Sequence, residues 1–213
     1  GKPTETRLQA IFRRISCSVY PAAARISRRS CDVHSLGFLH MDADIVSEKD
    51  RLCQAIGKVV IEFQFIEYTI AEILASILKM KEESDQHRVA AAMSFRQKAD
   101  LLCDLYPTRR HAKWLEVDIP LVRKALYASE DFRNRVVHSF WYVSGSEPMQ
   151  WMRSKASLRS SAGLRVSTGT ANIEVLEQGT KVMYGIRDWY VTEPAKLKRL
   201  LEDLQRLSEI LNS

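Results

Sequence analysis

The chain has 213 residues, 46% of them hydrophobic, and a formal net charge of +6. That is enough for one domain with a real core. It is too apolar for a disordered polymer, and no apolar run approaches the roughly 20 residues that carry a helix across a bilayer.

The charge is unevenly placed. Residues 1–40 hold seven basic and two acidic groups, net +5, while the other 173 residues hold 25 and 24, net +1. The high isoelectric point therefore describes a basic N-terminal arm over 1–40, expected to lie apart from the core. It is rich in Arg and Ser, a little like a transit peptide, and lacks sustained apolar periodicity beyond one short helix expected near Glu5–Ser16. Such an arm either binds nucleic acid without sequence preference or is simply a solvated tail. Met41 is a candidate natural start. The four cysteines form no disulfide framework and suit a reducing cytoplasm. Cys17, Cys31, His34 and His40 can be drawn as a zinc set, but their spacing matches no established pattern and no Cys-x-x-Cys is present.

Residues 47–80 carry the strongest structural signal. Leu52, Ile56, Val59, Phe63, Ile66, Ile70, Ile73, Ile77 and Met80 step by four and three. That seven-residue repeat keeps one seam facing partner helices. Lys79–Asp85 is a charged break. Ser94-Phe95-Arg96-Gln97 reads as a capping box opening a second helix, which Pro107 should end. Arg109, Arg110, His111 and Lys113 form a basic loop. Asp118 caps the next helix, with Pro120 in its first turn. Leu121, Val122, Leu126, Phe132, Val136 and Phe140 mark its buried side. Gly145 and Pro148 then stop regular structure.

From Gln150 the period changes. Ile173–Glu177 and Lys181–Ile186 read as two strands around a turn at Gly179, and Trp151–Leu158 and Leu164–Thr168 as weaker strands. These place a β-rich insertion at about 148–191. Thr192-Glu193-Pro194 begins a last helix with a broad leucine face.

One stretch carries chemistry: Asp131-Phe-Arg133-Asn134-Arg-Val-Val-His138-Ser-Phe-Trp141. A guanidinium forks onto phosphate oxygens, and imidazole moves protons near neutral pH. Together they can cleave RNA through its own 2′-hydroxyl. The plainer reading is that Arg133 and His138 cap helix carbonyls and pair with Glu130 or Asp131. No glycine-rich phosphate loop, Ser-His-Asp set or His-Glu-x-x-His pair competes.

Arg133-Asn134-x-x-x-His138, with the long helix before it, resembles the Arg–polar–x–His signature of the HEPN superfamily. The resemblance covers roughly Asp42 to Phe140 and the last helix. It implies a mainly α fold, a HEPN-like bundle of four or five helices within 41–213, to which the strand readings above add a small β-hairpin insertion before the last helix. It implies a metal-independent RNA endonuclease without cofactors, a toxin or defence effector in the cytoplasm with a cognate inhibitor protein, working on RNA as a homodimer whose motifs face each other. His138 would serve as base or acid, Arg133 would hold the phosphate, and Asn134 would orient the imidazole or bond the phosphate. Glu67, an acid beside the long seam, either pins Arg133 or is an exposed surface glutamate. Val137, Phe140 and Trp141 are expected to extend the dimer surface. The alternative is a non-catalytic helical dimer that binds a partner protein or nucleotide through the same surface.

Overall fold

Helix α1 runs over Ala43–Ile77, and its 35 residues give a rod of about 50 Å at the α-helical rise. Its seam is buried at Leu52, Val59, Phe63, Ile66, Ile70, Ile73 and Ile77, whereas Ile56 is only partly buried and the neighbouring Ala55 is the buried residue of that turn. The helix stops three residues short of Met80. Lys79 adopts φ 55°, the left-handed region, and turns the chain out of the helix. The Met80 N–H donates back to the Ala75 carbonyl (3.0 Å) and the Lys79 N–H to the Ser76 carbonyl (3.2 Å). This is a Schellman ending, with lysine where glycine is usual.

The computed structural model describes residues 43–109, 117–144, 151–159, 163–170 and 172–211. The basic arm, its short helix and the Cys17/Cys31/His34/His40 set lie outside the described residues. So do Arg110, His111 and Lys113 of the basic loop, and Gly145 and Pro148. None of the described helices is long and apolar enough to cross a membrane.

A short helix, α2 (Glu83–Ala92), buries none of its residues. Helix α3 (Phe95–Arg109) opens on the expected capping box. The Ser94 N–H donates to Gln97 Oε1 (2.8 Å) and the Gln97 N–H donates to Ser94 Oγ (3.3 Å). Pro107 does not end the helix but sits inside its last turn, where only one ladder bond is lost. Helix α4 (Ile119–Val137) starts where Asp118 Oδ1 accepts from the Leu121 N–H (3.0 Å). Val122, Ala125, Leu126, Ser129, Phe132 and Val136 form its buried side. Phe140, expected to continue that side, lies beyond the helix end and is 69% exposed.

The chain then forms a three-stranded antiparallel sheet in the order β1-β2-β3, from β1 (Phe140–Val143), β2 (Trp151–Arg159) and β3 (Gly163–Thr170). The two weaker strand readings hold. The two stronger ones, Ile173–Glu177 and Lys181–Ile186, do not: Ile173–Arg187 is a single helix, α5, capped by Asn172 Oδ1 accepting from the Val175 N–H (3.1 Å). The insertion therefore ends by Thr170 and precedes the last two helices. The reason lies in spacing. Ile173, Leu176, Met183 and Ile186 are buried at intervals of three and seven, which is helical. Gly179 is no turn residue; it lies on the buried face, against the ring of Phe132. A 3₁₀ turn, Trp189–Val191, leads to α6 (Pro194–Ile210), which buries Leu197, Leu201, Leu204 and Leu207.

The architecture is mainly α, with the sheet set between α4 and α5. Helix α1 packs against α3, α4 and α5, while α6 packs against α4 and α5. One core runs through all five, ending at Tyr106 against Trp189, with ring centroids 5.4 Å apart and edges to face.

The fit at Gly179 is testable. A Cβ there would lie 2.1 Å from Phe132 Cζ. Gly179→Ala should therefore destabilise the protein by about 2 kcal/mol through overpacking, although alanine is the better helix former. Urea unfolding measures it, and an unchanged midpoint would show that Phe132 yields freely.

Candidate functional site at the end of helix α4

The last turns of α4 bring Arg133 and Asn134 into contact and deliver His138 at the helix C-cap. The His138 N–H donates to the Asn134 carbonyl (3.1 Å), closing the final turn, and the chain then leaves toward β1. Arg133 and Asn134 are half-buried and His138 is exposed. Favourable partial charge at the carbonyl end suits cations there.

Arg133 lies over the ring of Phe63 on α1, with its Cζ 5.4 Å from the centroid. Its Nη1 donates to Asn134 Oδ1 (2.8 Å). Asn134 thus orients the guanidinium, and its Oδ1 is not turned to the imidazole. Arg133 Nε is buried with no hydrogen-bond partner among the described residues, and no described carboxylate pairs with the guanidinium. The nearby acids are taken. Arg96, from α3, puts its Nε 2.6 Å from Glu130 Oε2 and its Nη2 3.0 Å from Asp131 Oδ1. Arg96 also lies over the Tyr127 ring (4.8 Å), and its hydrogen bond to Glu130 holds its pKa above the usual arginine value. The ion-pair part of the plainer reading, with Glu130 or Asp131 neutralising Arg133, is therefore not what the fold does, while His138 does stand at the C-cap position.

Glu67 is neither free at the surface nor on Arg133. Its Oε1 accepts from Lys98 Nζ at 2.7 Å, and the Lys98 side chain is only 8% exposed. The acid beside the seam serves to neutralise a buried lysine of α3.

The β-sheet adds groups that sequence reasoning missed. Arg153, in the central strand, is 3% exposed; its Nη1 donates to Ser139 Oγ (3.0 Å), and Ser139 Oγ in turn donates to the Arg135 carbonyl of α4. Burial, and then the neighbouring Arg135, push the Arg153 pKa below the ordinary arginine value. Trp141, expected at a dimer surface, instead packs against the core, and its Nε1–H donates to the Val136 carbonyl (3.2 Å). Val137 and Phe140 remain exposed.

One signal could have found this cluster. Residues 132–171 carry Arg133, Arg135, Arg153, Lys155, Arg159 and Arg165 against the single carboxylate of Glu147, while 41–131 and 172–213 together hold 19 basic and 23 acidic groups. The near-neutral body conceals a strongly basic segment centred on the motif. Comparison with protein-family models, with curated proteins and with solved structures returns no match to this chain.

The Glu67 assignment has a measurable consequence. Glu67→Gln leaves the Lys98 ammonium buried without its counter-ion, and should lower stability by about 2 kcal/mol. Adding Lys98→Met should restore most of that loss, because an apolar side chain needs no partner. Denaturant melts of the three proteins decide it; full additivity of the two substitutions would contradict the pairing.

Proposed function

We propose that this chain is a metal-independent RNA endonuclease of the HEPN type, acting as a homodimer. The observation that supports it is the charge arrangement at the end of α4. A half-buried guanidinium, held over Phe63 and steered by Asn134, has no described carboxylate against it and lies five residues before an exposed imidazole. A partly buried cation without a counter-ion loses some hydration, which an arriving anion offsets. A phosphodiester is such an anion, and a bidentate guanidinium suits it.

The chemistry then needs only proton transfer and charge stabilisation. His138 takes the proton of the RNA 2′-hydroxyl as that oxygen attacks the adjacent phosphorus. The phosphorus–O5′ bond breaks, and the departing oxygen takes a proton from a second, protonated imidazole. Products are a 2′,3′-cyclic phosphate and a 5′-hydroxyl. Arg133 stabilises the additional negative charge of the transition state. One chain supplies one such imidazole. A two-fold axis supplies the second without further sequence, because a symmetric interface meets itself; the exposed Val137 beside His138 suits such a contact. The setting that fits is a cytoplasmic toxin or defence effector restrained by a cognate inhibitor protein.

His138→Ala and Arg133→Ala should each lower cleavage of RNA, assayed with EDTA present, by at least about 100-fold while leaving the thermal melt nearly unchanged. Cleavage undiminished in both variants rejects the assignment. Loss of cooperative melting in either would favour a purely structural motif, and an intact dimer with no nuclease activity would favour a non-catalytic binding protein. Sedimentation at micromolar concentration should give a dimer. A heterodimer of the parent chain with His138→Ala holds a single imidazole, so excess His138→Ala exchanged into the parent dimer should suppress its cleavage; an unaffected rate would contradict the paired site.

A further inference from the structure

Helix α2 is held in place by little. Its ten residues fall short of the length at which an isolated helix is stable in water. No side chain caps its N-terminus at Glu82, and none of its residues is buried. Its ion pairs, His87 with Glu83 and Arg88 with Asp85, close within the helix itself. Gln86 Nε2 donates to the Met80 carbonyl (3.1 Å), in the linker just before it. Among the described residues, no hydrogen bond or ion pair joins α2 to α1 or α3. Its neighbours do not need it either. The turn at Lys79 closes α1 before α2 begins, and the Ser94 box opens α3 after α2 ends.

What α2 covers is more apolar than α2. Leu74, Leu78, Met80 and Leu101 line a groove between the end of α1 and the start of α3. Above it, α2 sets Gln86, Val89, Ala90 and Met93. Those positions are i, i+3, i+4 and i+7, the spacing by which a helix lies in an apolar groove. The first of them is an amide and the third a single methyl group, and Val89 is still 37% exposed. The groove is thus built for a helix, and α2 fills it poorly. Charge adds a direction. Exposed Lys79 and Lys81 flank Met80, and α2 brings Glu83 and Asp85 to them in its first turn. Acidic residues also suit the N-terminal turn of any helix seated this way.

We propose that α2 is a displaceable strap over a helix-binding groove. The occupant that displaces it is an amphipathic helix of a partner protein, with leucine-sized side chains where α2 has Gln86 and Ala90 and with acidic residues in its first turn. The inference is independent of the nuclease reading.

The probe is a fluorescently labelled, acetylated peptide of ~15 residues, with leucine at i, i+3, i+4 and i+7 and glutamate in its first turn. Anisotropy measures its binding to the parent chain and to a full-length variant in which glycine and serine replace Glu83–Ala92. The variant should melt cooperatively and bind at least about tenfold more tightly than the parent, because the parent must first open. That ratio should equal the opening equilibrium of α2 in the parent, read from hydrogen exchange of its amides, which should run well ahead of exchange in α1 and α3. Leu78→Glu, added to the variant, should abolish binding. Exchange of α2 only with global unfolding, or a variant that has lost its cooperative melt, would make α2 part of the core and overturn the strap. A folded variant that binds no better than the parent, or binding indifferent to Leu78→Glu, would overturn the groove. Self-association of the variant in sedimentation, blocked by Leu78→Glu, would assign the groove to a second copy and overturn the partner helix.

Discussion

The contact on which the site depends is the ion pair of Arg96 with Glu130 and Asp131. Glu130 and Asp131 stand within a turn of Arg133 on the same helix. They do not pair with it, because a guanidinium from α3 reaches across at 2.6 and 3.0 Å and contacts both acids. The capping box at Ser94 and Gln97 fixes the start of α3, and so fixes where Arg96 stands. An exposed pair of this kind adds little stability. Its effect is on charge distribution: negative charge is drawn toward the α3 side of α4, and the end of α4 is left cationic.

Helix α1 supplies the other half of the geometry. Its seam packs three helices, so Phe63 is a buried core residue and at the same time the surface on which Arg133 rests. The ring excludes water from one side of the guanidinium and cannot neutralise it. One turn further along α1, Glu67 meets Lys98. The seam acid that could have pinned Arg133 is therefore committed to a lysine of the same core. Phe63 and Glu67 divide the support of α3 and α4 between packing and charge.

Much of this was legible in the sequence, and the failures have physical causes. The seam of α1, the box at Ser94, the cap at Asp118 and the Pro194 start follow from local rules, and local rules were enough. In α5, Gly179 and the β-branched residues around it have strand and turn preferences; the burial of Ile173, Leu176, Met183 and Ile186 outweighs them. Nothing in the order of residues says that Gly179 admits the Phe132 ring, since that contact joins positions 47 apart. Phe140 continues the helical period of α4 in sequence, but the helix stops at Val137, before that period reaches it. The partner of Glu67 was likewise a matter of tertiary placement. The basic segment at 132–171 is readable in the sequence, but the acidic groups on either side of it bring the body as a whole close to neutral.

The tie from Arg153 through Ser139 to the Arg135 carbonyl has a consequence for how such a protein can change. The sheet is moored at one end, where Trp141 and Arg153 sit side by side in register. The β2–β3 pairing runs away from that mooring, from Met152 opposite Thr170 out to Arg159 opposite Gly163. Lengthening, shortening or exchanging the far end of this hairpin leaves the mooring and the end of α4 untouched. Insertions of two paired residues preserve which face each side chain takes; insertions of one invert it. The hairpin is in this sense an exchangeable cassette, set in register at its root by Trp141 opposite Arg153.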